Sequence, residues 1–446
     1  MNSTLTIPTK ISIALLALYT FSIGIEELVT IPLAGNKVQV PEIIFLVYAF
    51  SILINIRKMS FKDFEINKID IAIVLYFLAV AFSFLVNRTH NSFGELLGIV
   101  YLSGLYVLTK LLIISCYEIY PKIKEFVWKA AILGAITAVC FGFLGYILFY
   151  IDGRVEYIWY YKGYPFLGDS IRIKGTVSNP ITFCDYLISL VILLIPSATS
   201  DFRFQISENS WTSNIKGPLS ISDKKTKIGL LAFLILGIIA TKTKALILLF
   251  SSVLIYFTRE KTNFWTKWSA RSIAISGVVF YLFVSHFMIS PANSDDLTHN
   301  HSFSSNSIVY KNDVFLVTPT TYAVLKQSAL LAFASSPIVG IGGNELIKFN
   351  KILFDKKIIT VDPDCAPHST YFGALGELGL LGFAALLFLL YVIYQQIIKS
   401  SNRAIYLCLF GFIIFEMVTV DLMTFRTYWL MLAFLATENY PFKRTL

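Results

Sequence analysis

The sequence predicts an all-α integral membrane protein of about twelve transmembrane helices, with one long loop outside the membrane that contains short helices. Three observations predict it. Of the 446 residues, 56% are hydrophobic and only 15% charged, whereas soluble domains carry about 45–50% apolar and about 25% charged residues. So few polar side chains do not cover a water-facing surface, which argues against a large soluble enzyme. Apolar stretches near the roughly 20 residues that cross a bilayer recur along the chain. Lys and Arg gather in alternate connections between those stretches.

The apolar stretches are 11–28, 40–56, 70–87, 94–116, 127–151, 180–199, 227–241, 243–258, 269–289, 370–397, 403–420 and 423–439. The first lacks a small-residue cleavage site after it and reads as a retained membrane helix rather than a removed signal. The seventh and eighth are short and meet at Thr241-Lys242-Thr243. Charges there predict a tight hairpin rather than one long helix. Arg57, Lys58, Lys62 and Lys68 lie in the second connection, Lys122, Lys124 and Lys129 around the fourth, Arg203, Lys216, Lys224, Lys225 and Lys227 in the sixth, and Arg259, Lys261, Lys267 and Arg271 in the eighth. The positive-inside rule makes that side cytoplasmic and places both termini there. The short opposite connections are poor in Lys and Arg (Lys37, Arg88, Arg426).

Spans one to nine therefore fill 1–289, with an outer segment at about 152–179. A large outer loop fills 290–369, and spans ten to twelve fill 370–446. The loop begins polar from Ser290 to Asp313. Leu316, Val324, Leu325, Leu330 and Phe333 then predict an amphipathic helix, and Ser335 to Asn344 is rich in turn residues. No internal repeat is visible. The net charge of +9 is dispersed and no nucleic-acid motif accompanies it, so no nucleic-acid partner is predicted. Cys116, Cys140, Cys184 and Cys408 fall in or beside spans, and Cys365 is the one loop cysteine, so no disulfide framework is indicated. No nucleotide-binding loop is present, and no cofactor is predicted. His299, His301, Asp295 and Asp296 lack a completing cluster, so no metal site is predicted either.

The most informative segment joins the outer loop to the tenth span: Ala366-Pro367-His368-Ser369-Thr370-Tyr371, continuing through Glu377 to Gly382. Ser369 or Thr370 is placed to cap the helix. His368 then sits at the membrane boundary, where a neutral imidazole can take a proton from a hydroxyl nucleophile. A solvated interfacial histidine is the ordinary alternative. Arg172 and Lys174 precede Gly175 to Pro180, and Lys244 sits at the outer end of the hairpin. Cations against the positive-inside bias suit an anionic group such as a lipid pyrophosphate, or snorkel to phospholipid phosphates. Tyr157, Trp159, Tyr160, Tyr161, Tyr164 and Phe166 suit sugar stacking or an interfacial belt. Lys110, Asp185 and Glu416 are charges within spans, which face the protein interior by default.

In order, these motifs are a basic residue before an Asn-Pro span start, a basic residue at an outer hairpin, a loop with Pro337-x-x-Gly340-x-Gly342, and His368 before Leu375-Gly-Glu-Leu-Gly-Leu-Leu-Gly382. The pattern resembles the bacterial O-antigen ligase and O-antigen polymerase superfamily, most strongly over 317–390 and more weakly over 172–190 and 228–258. The resemblance implies a GT-C-like glycosyltransferase, inverting and metal-independent, in the bacterial inner membrane with its active site facing the periplasm. Its substrate would be an undecaprenyl-pyrophosphate-linked oligosaccharide, with membrane lipids and a chain-length regulator as further partners. His368 matches the family's loop histidine, proposed to activate or position the acceptor hydroxyl. Arg172 and Lys244 match basic positions proposed to hold the pyrophosphate, with Lys174 beside them. Tyr371, Glu377 and Lys326 are candidate supporting residues.

Two positions depart from the family pattern. Lys244 stands where Arg is usual and lacks the bidentate fork. The loop helix starts Thr320-Thr321-Tyr322-Ala323 where an Arg is common, leaving Lys311 or Lys326 as substitutes. These departures favour a polymerase of O-antigen or a related surface polysaccharide over a ligase acting on lipid A core. A lipid-linked oligosaccharide flippase is the alternative from another class, but it would carry charges along a central cavity rather than in two outer loops.

Overall fold

Each apolar stretch read from the sequence folds as a helix in the computed structural model, which describes residues 7–28, 30–33, 36–56, 65–117, 119–164, 168–198, 224–257, 264–291, 309–359, 368–400 and 402–438. Helix α1 (Ile7–Ser22) passes through a 3-10 turn (Ile23–Ile25) into a hairpin, β1 (Thr30–Leu33) and β2 (Asn36–Gln39). Then come α2 (Val40–Asn55), α3 (Lys68–Asn87), α4 (His90–Cys116) and α5 (Ile123–Asp152). A second hairpin, β3 (Ile158–Tyr164) and β4 (Gly168–Ile173), leads to α6 (Pro180–Ala198), α7 (Lys224–Thr241), α8 (Ala245–Phe257) and α9 (Phe264–His286). The long connection carries β5 (Phe287–Pro291), β6 (Tyr310–Lys311), β7 (Phe315–Pro319), α10 (Thr321–Ser335) and α11 (Leu346–Asp355). Helices α12 (Thr370–Lys399), α13 (Arg403–Glu416) and α14 (Arg426–Ala436) complete the chain.

The outer surface is apolar, as lipid requires: Leu46, Phe50 and Ile54 on α2 and Ile273, Val279 and Phe280 on α9 all lie exposed. Charges inside the bundle are mostly paired. Lys110 on α4 is fully buried 2.5 Å from Asp70, which also accepts from the Tyr106 hydroxyl at 2.7 Å. Lys110 therefore does not need to reach the membrane surface.

The all-α expectation holds for the bundle but misses the three small sheets, because their strands are short and lie in the connections. The apolar helices differ in length. Among the described residues, six helices are long and apolar enough to cross a membrane: Ile7–Ile25, Lys68–Asn87, His90–Cys116, Ile123–Asp152, Phe264–His286 and Thr370–Lys399. Helix α14 has 11 residues, about 17 Å of rise against a hydrocarbon core of about 30 Å. Arg57, Lys58, Lys62, Arg203, Lys216, Arg259 and Lys261, on which much of the orientation rests, lie outside the described residues, as do Asp295, Asp296, His299, His301, Cys365 and Pro367.

The tenth span is not continuous. Helix α12 breaks at Gly379, whose φ of 64° and ψ of −160° are open only to glycine. The turn-rich segment 337–342 fills the break. The backbone N–H of Leu380 donates to the Pro337 carbonyl at 2.8 Å, Ile341 to Gly376 at 3.1 Å and Gly342 to Glu377 at 3.0 Å. The Ser83 hydroxyl on α3 lies within hydrogen-bond reach of both Val339 O and Glu377 O, at 2.9 and 3.1 Å. Groups freed by the break thus regain partners, as buried backbone must. The approach leaves no room for side chains: a Cβ on Gly340 would lie 2.2 Å from the Glu377 backbone, and one on Gly379 would lie 2.5 Å from Ile338.

Replacing Gly379 with Ala is expected to destabilise the protein by about 1–3 kcal/mol from backbone strain alone, with the clash added. Gly411→Ala on α13, where a new Cβ meets nothing within 4 Å, is the control and is expected to leave stability unchanged or raised. Thermal unfolding of both variants in detergent, followed by tryptophan fluorescence, checks this; equal midpoints would contradict it.

Candidate functional site

Connections that close the helices gather at one end of the bundle. The Thr176 hydroxyl donates to Gly24 O at 2.6 Å, joining the 153–179 segment to the end of α1. The Thr320 hydroxyl donates to Ser285 O at 2.6 Å, joining the start of α10 to the end of α9. The Thr370 hydroxyl donates to Val420 O at 3.0 Å and accepts from the Leu422 N–H at 2.9 Å, pinning the first turn of α12 to the loop before α14.

His368 stands just before this pinned turn. Ser369 is the cap: its hydroxyl accepts from the Phe372 N–H at 3.4 Å and donates to Met417 O at 3.1 Å. His368 itself takes a left-handed backbone conformation, φ 44°, uncommon for a residue with a side chain. Its half-buried ring meets the Tyr322 ring near edge-on, centroids 5.2 Å apart. The Lys244 ammonium lies 5.7 Å from the centroid of that same Tyr322 ring. Tyr322 therefore bridges the histidine and the hairpin lysine, which are 124 positions apart in the chain (368 − 244).

The hairpin between α7 and α8 aims its cations into this end. Lys244 Nζ donates to the Val284 carbonyl near the end of α9. Arg172 on β4 donates from Nε to the Thr241 carbonyl at 2.7 Å, which places it beside the hairpin. Lys326, buried on α10, donates to His286 Nε2 at 2.5 Å. His286 Nδ1 in turn faces Leu282 O at 2.6 Å, which assigns its proton to Nδ1. The Lys326 ammonium also lies 5.8 Å from the Phe372 ring centroid, one turn of α12 from His368.

The sequence-predicted residues thus divide. His368, Lys244, Arg172 and Lys326 come together. Lys174 does not: it pairs with Glu27 at 3.2 Å. Tyr371 donates to Ile414 O at 3.1 Å, and Glu377 accepts from the Leu346 N–H at 3.3 Å, so both brace the scaffold. His286 and Tyr322 were missed. His286 ends an apolar stretch and looks like any interfacial histidine, while Tyr322 carries the signal of lying one helical turn before Lys326 on the same face.

Burial pushes the Lys244 ammonium down to about 8, and the nearby Arg172 guanidinium adds to the shift while Glu416 opposes it. Burial, then Lys244, brings Lys326 to about 8 as well. Burial also lowers His368 below the ordinary imidazole range, leaving it neutral and able to accept a proton at neutral pH. Perturbed pKa values of this kind cluster at functional sites. Among the described residues, no group of three or more His, Cys, Asp and Glu side chains is spaced to hold a metal ion.

Residues 229–387 match the family model described as O-antigen ligase. This segment is similar to the O-antigen ligase and polymerase superfamily. It contains Lys244, His286, Tyr322, Lys326 and His368, whereas Arg172 is contributed from outside it. No curated protein matches the chain. Members of this domain family are membrane glycosyltransferase-like enzymes acting on lipid-linked glycans.

The lysines are charged below their pKa and lose charge above it. Binding of inorganic pyrophosphate is therefore expected to weaken as pH rises through about 8. Lys244→Arg, whose guanidinium stays protonated, is expected to extend binding to higher pH. Calorimetric titration of the purified protein at pH 7 and pH 9.5 checks this; identical affinities for the wild type at both would contradict it.

Proposed function

We propose that the protein is a glycosyltransferase that polymerises undecaprenyl-pyrophosphate-linked oligosaccharide repeat units into O-antigen or a related surface polysaccharide. The observation that carries the reading is the Tyr322 ring, which sets a neutral His368 on one side and the Lys244 cation on the other. A proton acceptor beside an anion site is what transfer from a pyrophosphate-linked sugar requires. The acceptor hydroxyl gives its proton to His368 as its oxygen bonds to the anomeric carbon. The bond from that carbon to the pyrophosphate oxygen breaks, and the electron pair leaves with the pyrophosphate. Lys244, Lys326 and Arg172 neutralise the charge that develops there. Attack opposite the leaving group inverts the anomeric configuration. The orientation of basic connections supports a site facing the periplasm from the inner membrane, with a chain-length regulator as a further partner.

Ligation to lipid A core is the second reading, favoured by the family model's description as O-antigen ligase. Lys244 in place of Arg, and a loop helix that starts Thr320-Thr321-Tyr322-Ala323 where an Arg is common, favour the polymerase.

Asn tolerates the left-handed backbone of His368 but is a poor proton acceptor. His368→Asn is expected to keep the fold and lower the transfer rate about 10²–10⁴-fold. Long-chain polysaccharide should vanish from gels of cells carrying it, and normal chains would overturn the assignment. In cells lacking the protein, a polymerase leaves lipid A core bearing a single repeat, whereas a ligase leaves bare core and carrier-linked long chains.

A further inference from the structure

A cavity of about 310 Å³ is walled in part by α6, at the small end of ligand-binding volumes. Its wall is mainly hydroxyl, amide and carboxyl: Gln39, Asn179, Thr182, Asp185, Ser189 and Thr427 all face it. Asp185 is fully buried, and neither of its carboxyl oxygens has a hydrogen-bond partner. An orphaned carboxyl inside a membrane bundle is costly and needs a reason. Its helix neighbour Cys184 accepts from the Thr243 hydroxyl at 2.7 Å, next to Lys244.

The charge balance of the cavity identifies its ligand. Its one cation, Arg426, is occupied: it pairs with Glu26 at 2.6 Å and with Glu42, and donates to Gln39 Oε1 at 2.7 Å. Glu26 and Glu42 together outweigh that single charge, so the cavity offers no net positive charge to a phosphate or carboxylate. The spare hydrogen-bonding capacity lies on the two oxygens of Asp185, which suits a hydroxyl partner. The rings of Phe425 and Tyr428 stack nearly parallel at the wall, centroids 5.9 Å apart and planes 4° apart, and offer apolar faces to C–H groups. Hydroxyl donors with apolar C–H faces describe a pyranose ring.

We propose that this cavity is a saccharide subsite, in which Asp185 accepts hydrogen bonds from the hydroxyls of one sugar unit of the glycan being joined. The assignment rests on the glycosyltransferase reading for the identity of its ligand. The loop linking the two sites strengthens it: the Thr424 hydroxyl, at the cavity, donates to Asp421 O at 3.0 Å, and the Asp421 carboxylate accepts from Thr370 at 3.4 Å, two residues from His368. The cavity is thereby linked to the segment that carries His368.

Saturation-transfer NMR on the full-length protein in nanodiscs, with a panel of methyl pyranosides (glucoside, galactoside, rhamnoside, N-acetylglucosaminide), tests the subsite without requiring transfer. At least one pyranoside is expected to receive saturation from the wild type and equally from His368→Asn. The signal should fall at least tenfold in Asp185→Asn and in Thr182→Trp, which fills the cavity, both confirmed monodisperse by gel filtration. Absence of transfer to every pyranoside, or unchanged signals in both cavity variants, overturns the subsite. Because the His368 variant binds but does not transfer, loss of the subsite and loss of the catalytic reading are separate results. Normal long chains in His368→Asn would sink the latter while leaving the binding data standing.

Discussion

The docking of the 337–342 loop into the break of α12 is the constraint on which the rest of the site depends. It requires glycine on both sides, because Gly340 and Gly379 approach backbone at distances that exclude a Cβ. The hydrogen bonds that Leu380, Ile341 and Gly342 make across the break fasten the long connection to the first turns of α12. Helix α10 immediately precedes that loop and packs on α12. Tyr322 and Lys326 are thereby brought against His368 and Phe372. Without the loop's grip, the long connection would have no reason to present those residues to the histidine.

Once positioned, the cations are kept close by bonds to backbone carbonyls and a neutral imidazole. Lys244 donates to Val284, Arg172 to Thr241 and Lys326 to His286. Such partners orient a cation without cancelling its charge. Burial destabilises the charged forms of Lys244 and Lys326, and an anion entering among them would restore favourable electrostatics. The structure contrasts this with Lys174, which lies in the same stretch of sequence but is neutralised by Glu27. Proximity in sequence to Arg172 therefore does not bring Lys174 the same kind of partner.

Much of the fold was legible from hydropathy because lipid imposes a strong, local rule: every stretch of sufficient apolar length became a helix. Helix length was less legible, since capping residues and tertiary contacts decide it, and α14 ends after 11 residues. The break at Gly379 was invisible because Leu-Gly-Glu-Leu-Gly-Leu-Leu-Gly reads as one apolar run. His368, Lys244 and Arg172 were legible as titratable groups on the side opposite the basic connections. His286 was not, because nothing local distinguishes an interfacial histidine from one that lines a site, and Tyr322 is marked only by lying one helical turn before Lys326.

The sequence by itself determined that this is a multi-pass membrane protein, which residues carry charge against the orientation bias, and which superfamily pattern the segment around His368 follows. These are properties of composition and local order, and hydrophobic burial in lipid acts on them directly. Only the tertiary structure decided which of those charges meet. Arg172, Lys244, Lys326 and His368 lie on four separate elements, and their convergence depends on contacts between segments up to 196 positions apart (368 − 172). It likewise decided that Asp185 turns an unpartnered carboxyl into a polar cavity while Cys184, its neighbour, turns toward the hairpin. Helical geometry sends adjacent side chains in different directions, and only packing settles what each direction meets.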